Sequence, residues 1–255
     1  MVIAGRGAPL LLIPGVHGRW EWGRPAVQEL ARHHRVVSYS LCGERHAVPP
    51  LVARSFDDLV RQALNALNRA TDGPAVVCGV SYGGLIALRL AARYPERVRA
   101  LVLASPLNAD FSPDERIGRW VAHPRLMAPA FLLGSPGRIV PELRAAHGQA
   151  WLLRALGLLG RVVRAPHSPD RMAERIRMIA NEDFVSDCGA VRQPTLLVTG
   201  EAGLDRIVSA EASCRMLTWL PNARHVTLDR TGHWGLVTRR DAFAREVTQF
   251  VETLP

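Results

Sequence analysis

The sequence predicts an α/β fold in which a mostly parallel sheet is flanked by helices and carries an inserted α-helical segment. Three observations predict it: apolar runs of strand length alternate with helical segments, the alternation stops at residues 105–192, and it then resumes. Strands that alternate with helices imply right-handed crossovers and a parallel sheet covered on both faces. We therefore predict a sheet core of residues 1–104 and 193–255, with a helical cap at 105–192.

Short apolar runs bounded by turn residues predict the strands. These runs lie at residues 10–13, 36–39, 75–78, 100–104, 195–199 and 225–228. Helical spacing of apolar residues predicts the helices at residues 25–32, 56–70, 85–93, 209–219 and 240–253. Because only nine residues precede the first run, we expect a sheet of six strands.

The predicted cap consists of helices broken at His123-Pro124, at residues 134–137 and at Ala165-Pro166. Within it, residues 142–164 crowd one helix with apolar groups, among them Trp151 and several leucines. We interpret this helix as a lid that buries its apolar side over a pocket. The alternative is a helix on a membrane surface, with arginines facing anionic lipid; these are Arg154, Arg161 and Arg164.

The composition lies in the ordinary globular range, with 255 residues, 48% hydrophobic and 22% charged. The net charge is +9, and all 32 basic residues are arginines spread along the chain. Such spreading favours a solvated surface over nucleic-acid binding, which usually needs clustered runs and recognisable motifs. The lack of lysine excludes a lysine Schiff base, a lysine nucleophile and a P-loop.

The four cysteines show no CxxC pair and no zinc-ligand spacing with histidine; they are Cys42, Cys78, Cys188 and Cys214. We therefore expect free thiols, no metal and no cofactor. The N-terminal stretch MVIAGRGAP has no apolar run of signal-peptide length, and no stretch has the length of a membrane span. A cytoplasmic protein without stable membrane insertion is the expectation.

A nucleophile is predicted where the strand at residues 75–78 runs into Gly79-Val-Ser81-Tyr-Gly83-Gly and then into a helix. A strand, G-x-S-x-G and a helix in this order form the context of a nucleophile elbow. A Cβ at position 79 or 83 would strike the adjacent strand and helix, which explains the glycines. Ser81 is therefore the predicted nucleophile.

Serine needs a base held in position by a third group. His233, on the glycine-flanked loop after the last strand, is the predicted base, because loops at the carboxyl ends of parallel strands gather at one sheet edge. The loop after the strand at 195–199 offers Asp205 as the orienting acid and Glu201 as the alternative. Asp205 is favoured, and the order of nucleophile, acid and histidine fits this architecture.

The tetrahedral oxyanion needs two donors. The N–H of Tyr82 comes from the elbow itself, and the N–H of Val16, in a glycine-rich bend after the first strand, is the second candidate. His17 is a candidate polar contact in the substrate pocket. Trp151 and Trp234 complete the expected pocket, and Trp120, Met127 and Phe131 add apolar groups from the cap.

With these motifs in place, the chain resembles the α/β-hydrolase superfamily over most of its length outside the insertion. The most specific stretch is CGVSYGGLIALRLAARYPERVRALVLASP at residues 78–106, supported by LLIPGVHGRWEW at 11–22, PTLLVTGEAGLDRIV at 194–208 and TGHWGLV at 231–237. Members that are dehalogenases or epoxide hydrolases carry an aspartate where Ser81 stands, so the resemblance disfavours those activities.

From these residues we expect a serine hydrolase that cleaves an ester of a small or medium apolar acid through an acyl-enzyme. Two alternatives stay open. The same triad could cleave a carbon–carbon bond or act as a lyase, because fold does not separate these chemistries. The fold could also serve as a ligand-binding receptor with little turnover. The expected partner is a small-molecule substrate, and no nucleic acid is expected.

Overall fold

A single seven-stranded sheet forms the centre of the chain in the computed structural model, which describes residues 1–254. Pro255, the last residue of the predicted core, lies outside the described residues. The strands are β1 (Val2–Ala4), β2 (Pro9–Ile13), β3 (Arg35–Ser38), β4 (Ala75–Val80), β5 (Val98–Ala104), β6 (Thr195–Gly200) and β7 (Ala223–Leu228). Their order across the sheet is β1-β3-β2-β4-β5-β6-β7.

All neighbouring strands pair in parallel except β1, which runs antiparallel to β3. The predicted mostly parallel α/β sheet is thus confirmed, but the expectation of six strands is wrong. The missed strand, β1, has three residues, fewer than the four to eight that a strand pattern needs to be recognised. Gly5 and Gly7, with φ of 77° and 107°, follow it in the connection to β2.

Eleven α-helices are present within residues 1–254. They are α1 (Arg24–Leu30), α2 (Phe56–Asn68), α3 (Tyr82–Arg93), α4 (Glu115–Ala122), α5 (Pro124–His147), α6 (Trp151–Arg164), α7 (Pro169–Met178), α8 (Phe184–Ala190), α9 (Ala210–Cys214), α10 (Gly235–Thr238) and α11 (Arg240–Glu252).

Helices cover both faces of the sheet, and this explains the continuous apolar runs in the strands. Along β2, Leu11 packs into the core on the side of α2, α3 and α8, whereas Leu10 and Leu12 pack toward α1 and α11. Successive strand residues point to opposite faces, so a strand covered on both sides needs apolar residues at every position.

Residues 105–192 lie between β5 and β6, and we call them the helical insertion. They contain α4 to α8 and, within the described residues, no strand. The breaks predicted at His123-Pro124 and Ala165-Pro166 fall at the ends of α4 and α6, but the break predicted at 134–137 is wrong because α5 continues through it. A proline removes only one N–H donor, and Ser135 Oγ donates to the Phe131 carbonyl in the same turn.

The apolar side of α6 faces away from the protein, so the predicted lid helix is not observed. The chain breaks the predicted helix at a 3-10 turn, Gly148–Ala150, where Gly148 has a φ of 52°. Beyond this turn α6 has no buried residue, and four of its leucines and Val163 are exposed, while Trp151, Leu158 and Val162 are half-buried. Within residues 1–254, no helix is both long and apolar enough to cross a membrane.

Candidate active site

Ser81 stands on the turn that joins β4 to α3. Its φ of 52° and ψ of −120° lie in a region that non-glycine residues rarely adopt. Such strain persists only where the surrounding structure imposes it, and it is common at active sites. Ser81 N–H donates to the Ala104 carbonyl at 2.9 Å, and the Ser81 carbonyl accepts from Gly84 N–H at 2.8 Å. These bonds hold the turn and leave the side chain at the carboxyl edge of the sheet.

The glycines that flank Ser81 are required by the close approach of backbone atoms. A Cβ on Gly79 would lie 2.3 Å from the Gly83 carbonyl oxygen. A Cβ on Gly83 would lie 2.4 Å from the carbonyl oxygen of Pro14, at the end of β2. Both distances are below any real contact, so the G-x-S-x-G pattern has the steric cause that the sequence suggested.

His233 and Asp205 meet at the same edge of the sheet. His233 Nδ1 lies 3.2 Å from Asp205 Oδ2, and the other carboxylate oxygen accepts from the N–H groups of Ile207 and Val208 at 3.0 and 2.9 Å. Because a carboxylate only accepts, His233 donates from Nδ1 and its Nε2 is free to take a proton. The alternative acid, Glu201, is exposed and accepts from Arg230 N–H at 2.6 Å instead.

Ser81 and His233 line one cavity. Within residues 1–254 no hydrogen bond joins their side chains, and the ring of His233 bonds to Asp205. Catalytic hydrogen bonds often tighten only when substrate binds, so an open geometry is compatible with a serine and its base.

The two candidate oxyanion donors are the N–H groups of Tyr82, which follows Ser81 in the chain, and of Val16, which lines the same cavity as Ser81. Tyr82 is the first residue of α3, where backbone N–H groups have no acceptor within the helix. Val16 lies in a turn closed by Gly18 N–H to the Gly15 carbonyl at 2.8 Å. Gly15 itself approaches Ser81, since a Cβ on Gly15 would lie 3.5 Å from Ser81 Cβ. Both donors therefore border the nucleophile.

His17 contributes a neutral imidazole to this cavity. The N–H of Arg19 donates to His17 Nδ1 at 3.1 Å, which leaves the ring proton on Nε2. Burial, followed by the nearby His167 and Arg175, holds the pKa of His17 well below its usual value. His17 thus lines the cavity with a neutral ring that can donate a hydrogen bond from Nε2.

Trp22 and His167 are pocket residues that the sequence reasoning missed. Their rings stack with centroids 4.5 Å apart, and Trp22 Nε1 donates to the Ala165 carbonyl at 3.0 Å. Burial lowers the pKa of His167 to about 4. This pair joins the loop after β2 to the insertion, and a long-range aromatic contact of this kind leaves no local pattern in the sequence.

The cavity has a volume of about 130 Å³ and is apolar apart from its serines and histidines. Its lining includes Trp234 and Phe131, as predicted, together with Trp20, Met172 and Ile207. No arginine, aspartate or glutamate of the described residues lines it.

The structure does not place Trp151 in the cavity lining, and Trp120 and Met127 are likewise outside it. Trp151 begins α6 on the outer side of the insertion, where the Arg144 guanidinium lies 4.6 Å from its ring centroid. Trp120 packs against Phe131, with ring centroids 6.2 Å apart, and so supports a lining residue from behind.

Glu142 of α5 holds the loop that carries His233. Its side chain is 1% exposed. Glu142 Oε2 accepts from Trp234 N–H at 3.1 Å, and Oε1 accepts from Thr231 Oγ1 at 2.7 Å and from Thr238 Oγ1 at 2.8 Å. A carboxylate of the insertion thus fixes the residues on both sides of His233. No sequence signal identified it, because its partners are about 90 residues away.

Metal-binding residues are not gathered at this site. Across residues 1–254, no cluster of three or more His, Cys, Asp or Glu side chains is arranged to hold a metal ion. The four cysteines are free thiols. Burial raises the pKa of Cys42 to about 11 and that of Cys188 to about 12, so both thiols are protonated at neutral pH.

Comparison with known proteins gives concordant matches. Residues 10–246 match the model of the alpha/beta hydrolase family. The chain is 27% identical to a 2-hydroxymuconate semialdehyde hydrolase of Pseudomonas sp. strain CF600, over 97% of this chain and 88% of that protein. It is 29% identical to a pimeloyl-(acyl-carrier protein) methyl ester esterase of Neisseria meningitidis serogroup B, over 81% of this chain and 79% of that protein.

A solved structure with the same fold is the enol-lactonase from Burkholderia xenovorans LB400. It superposes with a TM-score of 0.78 at 22% identity, covering 98% of this chain and 95% of that one. The family match spans Ser81, Asp205 and His233 and includes the whole helical insertion.

Proposed function

Because this chain belongs to the α/β-hydrolase family, we propose that it is a hydrolase that cleaves carboxylic esters through an acyl-enzyme on Ser81. The observation that carries the proposal is the cavity shared by Ser81, on its strained turn, and His233, hydrogen-bonded to Asp205. This combination has the parts that nucleophilic acyl transfer needs: a nucleophile, a base and a group that orients the base.

In the first half-reaction His233 Nε2 takes the proton of Ser81 Oγ as that oxygen attacks the ester carbonyl. The N–H groups of Val16 and Tyr82 donate to the resulting oxyanion. Collapse of the tetrahedral intermediate breaks the bond to the alcohol oxygen, which leaves with the proton from His233. A water molecule then repeats the sequence on the acyl-enzyme and releases the acid and Ser81.

The proposed substrate is an ester of a small or medium apolar acid. Apolar and aromatic side chains dominate the cavity, and a carboxylate on the ligand would find no arginine in the lining. The volume of about 130 Å³ is below the ~300–1,000 Å³ of pockets for drug-sized ligands, which favours short acyl chains.

Carbon–carbon bond hydrolysis is the second candidate, supported by the similarity to the 2-hydroxymuconate semialdehyde hydrolase. A muconate carries carboxylate, and the uncharged lining favours the ester instead. A receptor with little turnover is the third candidate, since a binding protein could retain the same triad. Comparing fluorophosphonate labelling of Ser81 with turnover of esters and diketones separates such a receptor from an enzyme.

The proposal also covers the role of the helical insertion, the location of the protein and its partner. The helical insertion acts as a cap, supported by Phe131, His167 and Met172, which reach from it into the cavity. A cytoplasmic location is supported by the four free thiols. The proposed partner is a small-molecule substrate and not a nucleic acid.

The test compares the wild type with Ser81→Ala on p-nitrophenyl esters of increasing acyl length. We expect turnover to be highest with short chains and to fall by about 10⁵-fold or more in the variant. Ser38→Ala is the matched control, because Ser38 lines the same cavity while its hydroxyl donates to the Leu12 carbonyl at 2.8 Å. Undiminished turnover in Ser81→Ala contradicts the proposal.

A fluorophosphonate probe provides the second readout, since it labels activated serines. Labelling of Ser81 together with ester turnover supports the enzyme. Labelling without turnover on esters and on a panel of diketones supports the receptor, and turnover on diketones alone supports the carbon–carbon hydrolase.

A further inference from the structure

One face of α6 exposes a continuous stripe of large apolar side chains. We call this stripe the α6 face, and it consists of Leu152, Leu153, Leu156, Leu159 and Val163. Leu153 is 73% exposed and Val163 is 74% exposed. Their spacing places them along one side of the helix. Contiguous apolar surface of this kind usually marks an interaction site.

The residues around the α6 face carry mainly positive charge. Between residues 116 and 164 every basic residue is an arginine, and Glu142 is the single acidic residue; the arginines are Arg116, Arg119, Arg125, Arg138, Arg144, Arg154, Arg161 and Arg164. The carboxylate of Glu142 is buried and bonded to the loop of His233. Arg119 and Arg125 pair with Glu115 and Asp170, and the other six arginines leave this stretch with an excess of positive charge.

Arginines also cluster on the side of α6 that lies opposite the leucines. Arg154 and Arg161 line a groove of about 490 Å³ together with Arg239 and Arg240. Glu29 pairs with Arg32 and Arg240, but within residues 1–254 no carboxylate forms an ion pair with Arg154 or Arg161. Burial, followed by the neighbouring Arg240 and Arg154, lowers the pKa of Arg161. Asp241 also lines the groove, so five arginines face two carboxylates there and the groove keeps an excess of positive charge.

We propose that the α6 face docks the protein onto the surface of a bilayer that contains anionic phospholipids. The leucines enter the boundary between headgroups and acyl chains, and the arginines of α6 lie beside the phosphate groups. A helix with leucines on one side and arginines on the other is the pattern of interfacial helices that lie in the plane of a membrane. Because an α-helix is ~10–12 Å across, its cationic side stays within about one Debye length of the lipid phosphates.

Charge complementarity favours this occupant over a second copy of the chain. A second copy would cover the leucines but would leave the arginines on the opposite side of α6 without anions. A polyanion such as RNA would meet the arginines but would leave the leucine stripe uncovered. An anionic bilayer satisfies both parts of the surface, and the docking does not depend on the reaction at Ser81.

The test is co-sedimentation of the full chain with vesicles. Vesicles of phosphatidylcholine alone are compared with vesicles of equal parts phosphatidylcholine and phosphatidylglycerol. We expect binding to the mixed vesicles, weakened by added salt, and little binding to phosphatidylcholine alone. Equal binding to both, or binding to neither, overturns the proposal.

Two double variants assign the binding to α6. Leu153→Glu with Leu156→Glu removes apolar contact and adds negative charge, and we expect at least a ten-fold weaker partition to the mixed vesicles. Arg154→Gln with Arg161→Gln should weaken it by roughly thirty-fold, given the usual contribution of each arginine near an anionic surface. Unchanged binding in both variants overturns the proposal.

Matched controls carry the same chemical changes elsewhere. Leu51→Glu with Val52→Glu adds the same two negative charges at exposed apolar residues, and Arg6→Gln with Arg45→Gln lowers the net charge by the same amount as the α6 arginine variant. These controls should bind like the wild type. All variants should retain turnover of a water-soluble ester, which serves as the folding check, because α6 has no buried residue.

Sedimentation equilibrium without lipid tests whether a second copy of the chain covers the α6 face. We expect the same oligomeric state for the wild type and for Leu153→Glu with Leu156→Glu. A wild-type dimer that the leucine variant converts to a monomer would show that a second copy covers the α6 face, and it would overturn the proposal.

Discussion

Arg175 of α7 donates from Nη1 to the backbone carbonyl of Val16 at 2.8 Å. The carbonyl of the same arginine accepts from the Tyr82 hydroxyl at 2.9 Å. Both candidate oxyanion donors are therefore tied to one buried residue of the helical insertion. Glu44 compensates the charge, since Arg175 Nη2 donates to its Oε1 at 3.0 Å. Arg175 does not line the cavity, so we expect it to act as a positioning residue.

Replacing Arg175 should impair the chemical step more than substrate binding. In Arg175→Met with Glu44→Gln, which leaves no buried charge unpaired, we expect kcat to fall by roughly ten-fold or more while KM changes little. The reason is that Val16 loses the bond that aims its N–H. Steady-state kinetics on a short ester measures both constants.

Arg171→Met is the matched control for Arg175. Arg171 lies in the same helix and also pairs with Glu44, at 3.2 Å, but it is more exposed and has no hydrogen bond to the loop of Val16. Its replacement should leave kcat within about two-fold, because Arg175 still pairs with Glu44 and still donates to the Val16 carbonyl. A similar loss in both variants would point to a general effect of the ion pair with Glu44.

The two acidic candidates on the loop after β6 should differ sharply in their effect on catalysis. Asp205→Asn should lower kcat by about 10⁴-fold, because an amide cannot hold His233 in the tautomer that leaves Nε2 free. Glu201→Gln should change kcat by less than about three-fold, since Glu201 is exposed and bonds to Arg230 N–H. Kinetics of both variants on one ester decides between them, and a larger loss in Glu201→Gln would reverse the assignment.

Glu142 should matter for both stability and activity. Glu142→Gln replaces one acceptor oxygen by a donor, so one of its three bonds to the loop of His233 is lost inside the protein. We expect unfolding in urea to require about 1–3 kcal/mol less, with a lower kcat. Glu174→Gln, on an exposed position of α7, is the control and should behave like the wild type. Wild-type stability in Glu142→Gln would contradict the role of this residue.

His167 should make the folded state less stable in mild acid. Its pKa is lowered from 6.5 to about 4 in the folded protein, so the unfolded chain binds the proton more tightly. Stability is therefore unaffected above about pH 6.5, falls as the pH drops toward 4, and changes no further below that value. At about pH 5 this histidine alone should cost about 2 kcal/mol relative to pH 7.5.

The pH effect is measured by urea unfolding of the wild type and His167→Phe at the two pH values. The phenylalanine can keep the stacking on Trp22 but cannot take a proton, so this variant should lose about 2 kcal/mol less on acidification. His33→Phe, at an exposed histidine, should show the wild-type pH dependence. If the free energy of unfolding changed equally with pH in all three proteins, protonation of His167 would not explain the loss of stability.

The catalytic edge of the sheet could be predicted from the sequence because its causes are local. Gly79 and Gly83 are dictated by contacts below 2.5 Å that any nucleophile elbow must avoid. Asp205 and His233 follow consecutive strands of a parallel sheet, which brings them to one edge whatever the rest of the chain does. Strands covered on both faces need continuous apolar runs, and these runs predicted six of the seven strands.

The helical insertion could not be predicted in the same detail. A helical period identifies an apolar stripe on α6 but not whether the stripe faces the protein or the solvent, and so it cannot decide whether Trp151 reaches the pocket. Glu142 and Arg175 act through partners more than 90 residues away, and neither leaves a pattern in its own neighbourhood. Strand β1 has only three residues, too few for its alternation to be recognised.

The contacts of Glu142 and Arg175 limit how the substrate range of this protein could be redesigned. A chimera could replace residues 105–192 with the insertion of another hydrolase. Glu44 would then lose the guanidinium of Arg175, and the N–H of Trp234 would lose the carboxylate of Glu142. A transplanted insertion should therefore carry a glutamate and an arginine at equivalent places. Substitutions at Phe131 or Met172, which reach the cavity without holding either loop, are the safer route to new specificity.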